Sequence, residues 1–189
     1  MKQFSSYGSA APYQDTAKLP PDGYVIGIIG AEEKTEHWGT FLEIKFDICE
    51  GEWTNFYSSQ YKSSTLKDKK YKGIYRMSVP REDGSEQDEW TARRFKTDML
   101  AIEESNPGFT WDWDERKLIG RKVGVIFFQK EYEFNGRYGM FTAPHSLRGA
   151  DKIREGDFKI PEPKLLKNRQ GGGGAAFPEL DVDVGELPF

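Results

Sequence analysis

Cysteine is almost missing from this chain. Cys49 is the only one in 189 residues, and histidine occurs only as His37 and His145. One thiol excludes a disulfide framework and fits a reducing compartment. A His/Cys zinc site would need Cys49 and both histidines, which lie far apart in sequence, so no metal and no cofactor is expected. No apolar run approaches the ~18 residues of a membrane span, so no membrane partner is expected. The opening "MKQFSSYGSAAPYQDTAKLPPDG" lacks the apolar centre of a signal peptide, which makes the expectation an intracellular protein. Catalytic signatures are missing too. There is no G-x-S-x-G, no Walker-type glycine-lysine loop and no Cys/His pair in nucleophile context. "WDWDE" does bring Asp112, Asp114 and Glu115 close together, and two carboxylates can hold magnesium for nuclease chemistry. A D-x-D pair on a loop is more often simply solvated, with Trp111 and Trp113 anchoring the loop. The chain is therefore not expected to be an enzyme.

Excess positive charge, the usual mark of a nucleic-acid binder, is also lacking: the net charge is −4. Its placement changes that reading. Residues 171–189 hold Glu179, Asp181, Asp183 and Glu186 and no base, and the remainder balances at 27 bases against 27 acids. The whole net charge sits in the last stretch. Aromatic residues make up 14% of the chain, too many for a disordered one.

Periodicity divides the chain into parts. Residues 1–18 are Ser/Ala/Gly-rich and patternless, which predicts disorder. "LPPDG" is a turn. "YVIGIIGAEEK" reads as a first strand with Tyr24, Ile26 and Ile28 on one face, bent or bulged at Gly27 and Gly30. "TFLEIKFDICEGE" alternates as a second strand, Leu42, Ile44, Phe46 and Ile48 facing one way and Phe41, Glu43, Lys45 and Asp47 the other. "WTNFYSSQY" reads as a third strand, followed by an irregular stretch over 62–88. A helix is expected from about Glu89 to Ser105, with Ala92, Phe95, Met99 and Ile102 at helical spacing and Asn106-Pro107-Gly108 ending it. "WDWDERKLIG" reads as a turn or short helix. "RKVGVIFFQKEYEF" and "RYGMFTAPHSL" are strands four and five, joined by an Asn135-Gly136 hairpin. A short helix within "GADKIREGDF" and an extended basic segment follow. The expected domain is 19–160, with a flexible linker over 161–176 and an acidic tail over 177–189. Three strands, a helix and two strands is the order of the five-stranded OB-type Greek-key barrel, whose helix lies between strands three and four. Other small β-barrels share the strand count.

The richest stretch is 53–76. It interleaves Trp53, Phe56, Tyr57, Tyr61, Tyr71 and Tyr75 with Lys62, Lys67, Lys69, Lys70, Lys72 and Arg76. Single-stranded nucleic acid needs cations for its phosphates and flat rings for its unstacked bases. Such barrels bind on strands two and three and on the loops joining strands one and two and strands four and five. Trp38 lies in the first loop, and Lys130 and Arg137 flank the second. The candidate nucleic-acid-binding set is thus Trp38, Trp53, Tyr57, Tyr61, Lys62, Lys67, Lys69, Lys70, Tyr71, Lys72, Tyr75, Arg76, Lys130 and Arg137. Strand alternation turns about half of any such aromatic set inward.

The segments "YKGIYR", "EESNPGFTWDWDERKLIGRKVGVIF" and "DKIREGDFKIPEPK" resemble a family of single-stranded DNA-binding proteins encoded by phages of Gram-positive bacteria, over much of residues 20–165. The resemblance implies the barrel fold, single-stranded DNA as ligand, a role in phage DNA replication or recombination, and the bacterial host cytoplasm as location. Separately, the end of the chain resembles the C-terminal tip of bacterial single-stranded DNA-binding proteins. Leu187, Pro188 and Phe189 match its last three positions, and Asp181, Asp183 and Glu186 stand for its acids. Here Val182, Val184 and Gly185 interrupt an acidic run that is continuous in that family. The resemblance implies a partner-binding tail that recruits replication or recombination proteins. The alternative reading is a protein-interaction module of such a complex without DNA affinity of its own. No stripe marks a subunit interface, so a homo-oligomer stays open.

Overall fold

β1 (Gly23–Glu36) is long and serves two neighbours. Its first half, Gly23–Gly27, pairs antiparallel with β4 (Lys122–Phe134), and from Ile26 onward it pairs with β2 (Gly39–Ile48). The switch falls at a bulge between Ile28 and Gly30, the bend expected from the glycines, which turns Ile29 out to solvent. β2 pairs with β3 (Ile74–Ser78), and β4 pairs with β5 (Arg137–Arg148) through a turn in which Asn135 and Gly136 both have positive φ. The computed structural model describes Gly8 and residues 17–166. Its sheet is five-stranded and antiparallel, in the order β3-β2-β1-β4-β5. Most of the expected N-terminal disordered segment, the glycine run and the acidic tail lie outside the described residues.

The third strand is a correction. "WTNFYSSQY" does not form one: Phe56–Ser63 is a helix, α1, and the third strand comes later, in "YKGIYR". The reason is visible in the spacing. Trp53, Tyr57 and Tyr61 recur every four residues, which satisfies a strand's period of two and a helix's i, i+4 repeat alike. Asp47 decides between them. Buried at the end of β2, its carboxylate accepts the Tyr57 amide at 3.0 Å, the Ser58 amide at 2.9 Å and its neighbour Ile48's amide at 2.9 Å. An anion on the first free amides of a helix stabilises that end. β3 in turn depends on Gly73. Its carbonyl accepts from the Phe46 amide at 2.8 Å, and a side chain there would meet the Phe46 carbonyl at 2.2 Å.

α2 (Glu86–Ser105) begins at Ser85, whose hydroxyl accepts the Asp88 amide, and buries Phe95, Asp98, Met99 and Ile102 against the sheet. Ala92, expected on the same face, is exposed. Asn106 ends the helix and ties it to β4. Its amide donates to the Ile102 and Lys122 carbonyls and accepts the Lys122 amide. A 3-10 turn (Glu115–Leu118) follows. The main core joins the inner faces of the strands to α2 around Phe46, Ile102, Leu118 and Phe127. A smaller cluster of Val25, Ile126, Ala150 and Ile153 lies under α3 (Ala150–Arg154).

The outer strands β3 and β5 share no ladder among the described residues. α2 lies against both instead. Arg94 donates to the Tyr75 hydroxyl of β3 and, at 2.6 Å, to the His145 carbonyl of β5. Residues 161–166, the start of the expected linker, run beside the β4 edge that β1 has left. The Lys164 amide donates to Gln129 O, and its carbonyl accepts from Glu131 N. No described helix is long and apolar enough to cross a membrane.

Candidate nucleic-acid interface

The outward positions of β2 are Phe41, Glu43 and Lys45, and register sets them beside Ser78, Arg76 and Ile74 of β3. Phe41 is an aromatic on the polar side of the alternation, yet it is buried. Two neighbours cover it. Trp38, at the β1–β2 turn, stacks on it at 5.0 Å between ring centroids and 4° between planes, and the Arg76 guanidinium lies 4.6 Å from its ring centre. With one face on Phe41, Trp38 stays 44% exposed, and the other face meets solvent. The indole N–H donates to Glu36, and the Trp38 carbonyl accepts from Arg81.

Glu43 organises the centre of this face. It accepts from Lys34 at 2.6 Å and from Arg76 at 2.9 Å. Burial pushes its carboxyl up, but the two bases outweigh that and hold it below the ordinary carboxylate range. The pair of hydrogen bonds fixes Arg76 over Phe41.

Four residues along β2, about 13 Å on, a second cluster begins. The Lys45 ammonium lies 4.7 Å from the Tyr71 ring centre, Tyr71 meets Tyr61 of α1 at 5.9 Å, and Lys69 lies 4.7 Å from the Tyr61 ring centre. Tyr71 is anchored by its hydroxyl, which donates to the Phe46 carbonyl, and burial pushes that hydroxyl up to about 12. Lys62, Lys67 and Lys70 are exposed around this cluster, and Lys72 is half-buried. Ring pairs with cations beside them therefore run from the β1–β2 turn across β2 and β3 to α1. Cation–ring contacts of this kind stabilise modestly at exposed sites, by about 0.5–1 kcal/mol each. They also hold flat faces and positive charge at fixed spacing.

The expected set divides. Trp38, Tyr61, Tyr71 and Arg76 come together on this face with the lysines of the α1–β3 loop. Tyr57 and Tyr75 do not: both are buried, Tyr57 with its ring edge-on to Phe46, Tyr75 with its hydroxyl on Asp98 at 2.8 Å. Desolvation raises both hydroxyls well above the usual tyrosine value. Neither ring offers a face to a base, because the helical turn and the inward side of β3 aim them at the core. Trp53 is half-buried, edge-on to Phe56. Lys130 and Arg137 stand on the β4–β5 hairpin, and β4 is two places from β2 in the sheet. Lys130 lies 5.6 Å from the Phe141 ring centre, and burial, then Lys164, lowers its ammonium. Phe41, Lys45 and Lys34 were not among the expected residues. The signal was the outward phase of β2, which carries Phe41 and Lys45.

The acidic loop keeps its carboxylates occupied. Asp112 pairs with Lys117, and Asp114 takes the Arg116 guanidinium at 2.8 and 3.0 Å. Hydrogen bonds from these bases hold both carboxyls below the usual range. Cys49 donates to the Val25 carbonyl, His37 sits at the β1–β2 turn, and His145 packs on Phe128 at 5.0 Å. Among the described residues no three histidine, cysteine or acidic side chains are gathered as a metal site would need. Comparison with protein-family models gives no match. Comparison with curated proteins gives none either.

Proposed function

We propose that this chain binds single-stranded DNA, largely without regard to sequence, on the outward face of β2, β3 and α1. The carrying observation is two ring pairs flanked by cations, Trp38–Phe41–Arg76 and Lys45–Tyr71–Tyr61–Lys69. Exposed rings stack on any base, and the cations between them lie where phosphates pass. In this reading the sheet is an OB-type barrel with α2 lodged where β3 and β5 would meet. The strand order supports it, since only that pair is missing from a closed ring. The resemblance to phage single-stranded DNA-binding proteins supports a role in phage replication or recombination in the host cytoplasm. The tail residues Asp181, Asp183, Glu186, Leu187, Pro188 and Phe189 lie outside the described residues. We assign them the recruitment of partner proteins, on the strength of their resemblance alone.

The test is quenching of tryptophan fluorescence by an oligo-dT strand at about 50 mM salt, with duplex of equal length as the comparison. Saturable quenching by the single strand and weaker binding of duplex is the expected result. A chain that binds neither, yet still captures a replication or recombination protein, is an interaction module instead.

A further inference from the structure

The loop after α2 holds a tryptophan that the face described above does not use. Trp113, expected to anchor its loop, is 76% exposed. Its backbone is left-handed, with φ 69°, and among the described residues no other aromatic has that geometry. Such a φ is unfavourable for a bulky side chain, whereas glycine adopts it freely. The loop holds it nonetheless. The Trp111 amide donates to Glu103 of α2 at 2.7 Å, Lys117 pairs with Asp112, and the Arg116 guanidinium bonds Asp114 at 2.8 and 3.0 Å. The indole is thereby laid flat on Phe95 of α2, at 6.2 Å between ring centroids and 7° between planes. Strain of this kind clusters at ligand-binding sites.

Trp38 on Phe41 has the same construction: a tryptophan parallel to a buried phenylalanine, its other face in water, with an arginine at the pair. At Trp113 the arginine is Arg116, three residues on. Its side chain is 80% exposed and that of its partner Asp114 is 27% exposed, so an approaching anion meets the guanidinium first. Between the two platforms lies a cleft bounded by β3, α2 and β5. Arg76 and Arg94 line it, and so does Phe95, the ring beneath Trp113. Arg76 is also the cation over Phe41, the ring beneath Trp38. The mouth of the cleft therefore joins the platforms and has a cation on its β3 wall and another on its α2 wall.

We propose that a bound single strand longer than the β2–β3 face continues past Arg76, across the mouth of this cleft, and stacks one further base on Trp113. This rests on the single-strand reading above and extends its track from the sheet onto α2. The free face of the indole accepts any base, so the extension adds length and affinity without sequence preference. An exposed tryptophan also suits a protein partner, and the test separates the two occupants.

The experiment is an anisotropy titration of the full chain with oligo-dT strands of about 6 and about 16 nucleotides at about 50 mM salt. The short strand is held by the β2–β3 face, where the cations are gathered, and Trp113→Ala should leave its affinity unchanged. The long strand should bind Trp113→Ala about 5- to 150-fold more weakly than wild type, the scale of one stacked base. Trp113→Phe, which keeps a flat ring, should restore most of that loss. A thermal melt of each variant checks the fold. Unchanged long-strand affinity in Trp113→Ala leaves the indole to a protein partner and overturns the proposal. An equal loss for both lengths, or a Trp113→Phe protein as weak as Trp113→Ala, overturns it too. Absence of wild-type binding to either strand overturns the single-strand reading and this proposal with it.

Discussion

Trp38 concentrates the argument at the scale of the residue. Its ring is held flat on Phe41, its N–H is taken by Glu36 and its carbonyl by Arg81, so it is pre-oriented with one face outward. Stacking on a pre-oriented ring is worth about 1–3 kcal/mol per base. Trp38→Ala should therefore weaken oligo-dT binding by about 5- to 150-fold and remove part of the fluorescence quenching. Fold should survive, because the ring lies on the surface, and a thermal melt of the variant checks this. A Trp38→Ala protein with wild-type affinity would remove this ring from the interface. Tyr57 and Tyr75 make the contrast. They are aromatic side chains from the same stretch as Tyr61 and Tyr71, but they face the core, and their loss would be felt as instability.

At the scale of the element, Asp47 and Glu50 act across boundaries. Asp47, next to last in β2, holds the first turn of α1 by accepting two of its amides. Asp47→Ala leaves those buried amides unmet and should cost about 2–3 kcal/mol in denaturant unfolding. A loss below about 0.5 kcal/mol would show that α1 does not depend on it. Glu50 follows β2 and pairs with Lys122 of β4 and Arg154 of α3. Hydrogen bonding from Arg154, then Lys122, outweighs burial and lowers its carboxyl to about 2. A depressed carboxyl adds stability above its unfolded value, near 4.3, and loses it as pH falls toward the folded value. Glu50→Gln should thus be less stable than wild type at pH 7, by about 1 kcal/mol or less because the partners are solvated. The gap should close between about pH 4.5 and pH 2. Unfolding curves at neutral, mildly acidic and strongly acidic pH measure it, and a gap that stays constant would contradict the pairing.

Most elements were legible because only one period fitted each. β1, β2, β4, β5 and α2 follow from alternation or from helical spacing, and the hairpin from Asn135-Gly136. α1 and β3 were not, because Trp53, Tyr57 and Tyr61 satisfy both periods. The deciding group, Asp47, lies outside that pattern, on the preceding strand, while Asn55 at the cap position makes no side-chain cap. The site shared that fate. Tyr61, Tyr71 and the loop lysines of the proposed face were named from composition. Phe41 was missed because its burial is made by Trp38 and Arg76, which only the folded hairpin and the β2–β3 register bring together.

At the scale of the whole molecule, charge and topology meet. The chain is acidic in total, yet its acids and bases balance once residues 171–189 are set apart. Such a body binds a polyanion only where its cations are gathered, and here Lys34, Lys45, Lys69 and Arg76 share one side with the rings. The seam between β3 and β5 is held by α2 through Arg94, Tyr75 and Asp98, which leaves the β2–β3 face uncovered. The central claim is that this face binds single strands by phosphate contacts and stacking together. Its most direct test is the affinity for oligo-dT as a function of salt, for wild type and for the double charge reversal K45E/K69E. The account predicts a linear fall of log K with log salt, with a slope of about −2 to −3 for three or four phosphates. The reversal should weaken binding and make the slope shallower by about one to two. A wild-type affinity that ignores salt, or a reversal that leaves both affinity and slope unchanged, would contradict it.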